Sequence, residues 1–191
     1  MPLQLLPTEL PGVIEVATDI FTDRRGRFAE IHRADRYAAL GIGCAFVQDN
    51  YSRSTRGVLR GMHLQLKAGQ DKLVCVLRGA IFDVAVDVRR GSPAFGCWTA
   101  RVLSEENGRQ LFVPRGFAHG FCVLAGDADV LYKCSAVYAP GDEVGFHYAS
   151  RSLGIPWPTT VPVLSDRDAA LPPLEDLPPD RLPLYSGVSA P

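Results

Sequence analysis

From residue 72 to residue 138 the chain repeats one pattern: a short run rich in β-branched residues, then a turn marked by glycine, proline or asparagine. Residues 72–78 and 80–88 are such runs, and Gly79 between them reads as a tight hairpin. Arg90-Gly91-Ser92-Pro93 is a turn, residues 97–103 a strand, Asn107-Gly108 a turn and residues 109–113 a strand. Pro114-Arg115-Gly116 then leads into strands over residues 119–124 and 130–138. Strands at this even spacing predict an all-β sandwich or barrel of the jelly-roll kind, which leaves few open edges. Helix is expected only over residues 34–40, stopped by Gly41. From Pro156 onward proline recurs too often for regular structure, so an irregular segment is expected to wrap the barrel and the last few residues to be disordered.

At 191 residues, 47% apolar and 21% charged, residues 1–191 read as one globular domain. A formal net charge of -1 provides no general attraction to nucleic acid or to an acidic membrane. An anionic ligand would therefore need local cations, and Arg25, Arg60, Lys72 and Arg167 are the candidates. Cys44, Cys75, Cys97, Cys122 and Cys134 are odd in number, without a CxxC pair. They read as buried free thiols in a reducing compartment. No signal-peptide pattern and no membrane-length apolar run is visible, so a cytoplasmic location is expected.

Ionisable residues inside apolar strand-like runs are costly unless they face a cavity. The densest set is Gly57-Val58-Leu59-Arg60-Gly61-Met62-His63-Leu64-Gln65, followed by Lys72. On one regular strand Arg60 and His63 fall on opposite faces, unless Gly61 permits a kink or bulge. His63 is either a hydrogen-bonded core histidine or a general base, and the nearby Lys72 favours the base. Other clusters are 114–121 with His119, Tyr132-Lys133 with Tyr138 and Glu143 downstream, and Ser165-Asp166-Arg167-Asp168. A carboxylate of the last set either orients His63 or serves a local turn. No second histidine or glutamate follows His63 at metal-ligand spacing, and Lys72 would repel a cation, so no metal is expected.

These motifs, together with residues 21–26, 46–50, 82–87 and 143–145, resemble the dTDP-4-dehydrorhamnose 3,5-epimerases over residues 21–173. The resemblance implies a cupin-type jelly-roll barrel acting as a homodimer without cofactor on a dTDP-4-keto-6-deoxyhexose. It implies His63 as base paired with Asp168, Lys72 as enolate stabiliser and Tyr132 as the acid on the opposite face. It further implies substrate contacts from Arg25, Glu30, Gln48, Asn50, Arg60, Lys72, His119, Phe121, Tyr138, Glu143 and Arg167. Met62, Leu64, residues 147–151 and Arg167 depart from the family's usual residues; Met62 for leucine conserves volume and is expected to be silent, while the departures together bear on the exact substrate. The other readings are an epimerase of one carbon only, a metal-dependent cupin enzyme and a non-catalytic sugar-nucleotide binder.

Overall fold

The computed structural model of the protein describes residues 3–187. Eleven strands are present among them: β1 Gln4–Leu6, β2 Ile14–Ala17, β3 Ile20–Asp23, β4 Gly26–Ala29, β5 Gln48–Thr55, β6 Leu59–Gln65, β7 Lys72–Asp87, β8 Trp98–Ser104, β9 Arg109–Val113, β10 Phe117–Cys134 and β11 Glu143–Gly145. Two short helices, α1 Ala34–Ala38 and α2 Asp166–Ala169, accompany them. All named strand pairs are antiparallel, and β3 and β4 form a separate hairpin.

The two long strands organise everything else. The first half of β7 lies between β9 and the second half of β10, while its second half lies between β8 and the first half of β10. The second half of β10 also pairs with β5, and its first half with β6, which in turn carries β11. Two strands thus pass through both sheets of the jelly roll and turn the corner between them.

Gly79 sits at that corner. The hairpin expected there is absent, because residues 72–87 form one continuous strand. Gly79 instead has φ 77°, and a Cβ on it would lie 2.3 Å from the Asp127 carbonyl oxygen. The strands expected over 119–124 and 130–138 likewise merge into β10, whose register shifts between Val123 and Val130. The bend resets the inward phase of β7. Val74 and Val76 pack into the inner core before it, and Ile81 and Ala85 after it. Lys72 and Asp83, an odd number of residues apart, therefore both face inward.

Outside the barrel, two apolar layers cover the sheets. Tyr37 of α1 and Ile42 pack on Val16, Leu73 and Phe112. The proline-rich tail and the residues leading into it lay Leu153, Leu174 and Leu182 over Val84 and Val86, outward residues of β7, and over Val88 just beyond its end. This double coverage explains why the 82–88 run is apolar on both faces. Of its two aspartates, Asp87 accepts from Arg89 and Ser92. The tail is irregular as expected, apart from α2 and short 3-10 turns, and its last four residues lie outside the described ones. Cys75, Cys122 and Cys134 are buried, but Cys97 is exposed and Cys44 half-buried, which corrects the expectation of five buried thiols. Cys97 precedes β8 in a loop instead of lying inside a strand.

Gly79→Ala should destabilise the fold by about 1–3 kcal/mol, since the new methyl meets backbone at a left-handed position. Urea unfolding measures this, and an unchanged midpoint would contradict the corner assignment.

Candidate active site

β6 is the local origin of the site. His63 lies opposite His119 and Arg60 opposite Phe121, so two residues of β6 face one of β10. This bulge restores the phase that a regular strand would lose, and Arg60 and His63 border the same cavity. Gly61 makes it possible. Its φ is 115°, and a Cβ would come within 2.6 Å of the Gly120 Cα. The bulge also frees the Gly61 N–H, which donates to Asp168 Oδ2 at 3.5 Å.

Asp168 arrives from the tail. Val163 pairs in parallel with Val58, and Leu59 N–H donates to the Val163 carbonyl. One turn later Ser165 caps α2 by accepting from the Asp168 N–H at 3.1 Å. The Asp168 side chain then reaches His63 Nε2 at 2.7 Å. Burial opposes ionisation of Asp168, but the hydrogen bond and charge of His63 outweigh it and hold the carboxyl below its usual value. An ionised carboxylate only accepts, so Nε2 is the donor, and in the neutral imidazole Nδ1 is the nitrogen that carries the lone pair. Nδ1 faces Glu143 Oε1 at 3.6 Å.

Two lobes of about 380 and 290 Å³ meet at His63, Lys72 and Tyr132. The larger also takes Arg60, His119, Phe121, Arg167 and Asp168. The smaller takes Gln48, Asn50, Tyr138 and Glu143. Lys72 has no ion pair among the described residues; burial pushes its ammonium pKa down, against the pull of Cys134, Glu143 and Asp83. Burial likewise raises the Tyr132 phenol, with Cys134 adding to it, so the hydroxyl keeps its proton. At the junction Glu143 accepts from the Tyr138 hydroxyl at 2.6 Å and from Arg167 at 3.0 Å. Burial opposes the ionisation of Glu143, and these two donors more than offset it.

Two residues named from the sequence are elsewhere. Arg25 is on the β3–β4 hairpin, its side chain 84% exposed and paired with Asp23. Glu30 is held by Arg36 and Arg33. Neither borders the two lobes. Three polar residues were missed. Ser52 borders the larger lobe with a buried hydroxyl that has no partner among the described residues, Ser54 accepts from Arg60 Nε at 3.0 Å, and Asp83 bonds His119 Nε2 at 2.7 Å. The period-two series Gln48, Asn50, Ser52, Ser54 was the available signal for the serines. Polar residues on the other face of β5 hide it. Of the departures noted in the sequence, Met62 is fully buried and residues 147–151 lie away from the lobes. No group of three His, Cys, Asp or Glu side chains among the described residues is arranged to hold a metal ion.

Residues 7–176 match the sequence model of the dTDP-4-dehydrorhamnose 3,5-epimerases. The enzyme of that name from Shigella flexneri is 46% identical over 168 residues, 87% of this chain and 93% of that protein. A dTDP-4-dehydrorhamnose 3-epimerase from Streptomyces niveus is 40% identical over 87% of this chain and 81% of its own length. The crystal structure of a dTDP-6-deoxy-D-glucose-3,5-epimerase from Legionella pneumophila, in complex with dTDP-4-keto-L-rhamnose, superposes with a TM-score of 0.93. It is 46% identical and the match covers 97% of this chain and 100% of that one, so the cupin-type jelly roll is common to both. With a family model spanning most of its length and relatives this similar, the chain belongs to the dTDP-4-dehydrorhamnose 3,5-epimerase family of isomerases.

Proposed function

We propose that the protein inverts C3 and C5 of a dTDP-4-keto-6-deoxyhexose by removing a proton beside the C4 ketone and returning one to the opposite face. The observation that carries this reading is His63 pinned by Asp168 in a cleft that also holds Lys72 and Tyr132. His63 Nδ1 takes the proton, and the electrons of the broken C–H bond move to the C4 oxygen. The Asp168 carboxylate then faces an imidazolium, which it stabilises. Lys72 meets the enolate oxygen, and its burial makes that interaction strong. Tyr132 retains its proton until the carbanion face opposite His63 can receive it. Arg60 and Arg167 suit the diphosphate, because a guanidinium fork matches phosphate oxygens. Gln48, Asn50, His119, Phe121, Tyr138 and Glu143 complete the contacts, and no cofactor takes part.

The homodimer belongs to the same proposal. Arg25 and Glu30 are implied as substrate contacts, yet they lie away from their own chain's cleft. A partner's hairpin would bring them to it. A cytoplasmic location is part of the same proposal; no helix among the described residues is long and apolar enough to cross a membrane. The second reading is inversion of a single carbon, favoured by the 40% identity to a 3-epimerase.

NMR of dTDP-4-keto-6-deoxyglucose incubated with the protein in D2O should show deuterium entering both C3 and C5. Entry at one carbon would establish the second reading, and no exchange would overturn both; His63→Ala should abolish exchange. Lys72→Met should lower kcat by about a hundredfold or more, the scale of losing one oxyanion donor. A loss confined to KM would refute its role at the enolate. For the dimer, Arg25→Ala and His63→Ala chains should each be impaired alone and regain activity when co-expressed. Failure to regain it would place Arg25 outside the partner's cleft.

A further inference from the structure

Asp83 is the most deeply set charge near the cavity and has no part in the mechanism above. It lies on the second half of β7 with no exposed surface, between Ile81 and Ala85 of the inner core. One carboxylate oxygen is 2.7 Å from His119 Nε2, and the other has no hydrogen-bond partner among the described residues. A buried carboxylate with an unused oxygen is a costly element of a core, where an apolar side chain of similar volume would serve stability as well or better.

Its arrangement repeats that of the proposed base. His119 is the cross-strand neighbour of His63, so the two rings rise from adjacent positions on one wall. Each is held at Nε2 by an aspartate at 2.7 Å. An ionised Asp83 only accepts, so in the neutral His119 ring the proton is placed on Nε2 and the lone pair on Nδ1. Nδ1 makes no hydrogen bond among the described residues, and the ring borders the larger lobe. Lys72 and Arg60, on the same lobe, can only donate.

We propose that Asp83 is a positioning residue that fixes His119 in its Nε2–H form, so that Nδ1 accepts a hydrogen bond from a hydroxyl of the bound hexose. This rests on the epimerase reading for the identity of the ligand. The free oxygen of Asp83 gives the idea a sharp consequence. In Asp83→Asn the amide carbonyl can occupy that site, where an oxygen without a donor is already tolerated. The amide N–H then donates to Nε2 and drives the ring proton to Nδ1, turning the acceptor into a donor.

Nitrogen-15 NMR of the histidine rings tests this directly. His119 should be the Nε2–H tautomer in the wild type and the Nδ1–H tautomer in Asp83→Asn, with similar melting temperatures. In the D2O exchange assay Asp83→Asn should lose about tenfold in kcat/KM, the scale of one hydrogen bond. In a His119→Asn background it should cost less than about twofold, as expected for a residue acting through another. An unchanged tautomer, or an equal loss in both backgrounds, overturns the proposal. Should Asp83→Asn fail to fold, the wild-type spectrum decides, since Nδ1–H there contradicts it. Absence of wild-type exchange with the expected tautomers would instead strike at the epimerase reading.

Discussion

A single hydrogen bond of 2.7 Å joins His63 to Asp168 across 105 residues of sequence. Both ends of it depend on structure that has other work to do. The His63 end requires the β6 bulge, which requires glycine at 61 because the Gly120 backbone stands where a side chain would go. The Asp168 end requires the tail to be anchored, and its anchors are apolar: Leu153, Leu174 and Leu182 covering the outward face of β7. Burial of such side chains is worth about 1.5–3 kcal/mol each, enough to hold an irregular segment that contributes few backbone ladders. The tail is thus both a lid on one sheet and the carrier of a carboxylate.

Charge inside the barrel follows a consistent rule. Carboxylates that face the cleft are given donors: Asp168 has His63 and Gly61, and Glu143 has Tyr138 and Arg167. Lys72 has no such pairing among the described residues, although anions lie near enough to oppose its neutralisation. A group left without a partner in the resting protein can give its full interaction to charge that develops during a reaction. The same logic separates Arg60, whose Nε is tied to Ser54, from a freely moving surface arginine. That tie costs little and leaves the guanidinium's outer donors for an anion.

The sequence was most informative where local chemistry and three-dimensional role coincide. The strand at Arg109–Val113 and the helix near residue 34 were legible, because turn residues and periodicity mark them locally. The corner at Gly79 was not. A glycine between two β-branched runs is the signature of a hairpin, and only the neighbouring β10 backbone shows that the chain bends without reversing. The cleft residues were found through long motifs in the right order. Asp83, inside the 82–87 motif, was not named as a site residue because an aspartate in an apolar run carries no indication of which histidine it meets. Arg25 and Glu30 show the converse limit, since a motif names a residue without placing it, and both lie away from the two lobes of their own chain.

The order in which the chain is made adds a temporal consequence to the long-range pair. All eleven strands precede Asp168, so a ribosome releases the whole barrel before the carboxylate emerges. At about 5–20 residues per second, the nascent barrel exists for seconds with His63 unoriented and the outward face of β7 bare. During that interval the exposed valines of β7 are an adhesive surface and the imidazole is free to rotate. Arrival of the tail ends both conditions together, so protection of the newborn barrel and completion of its cleft are one event.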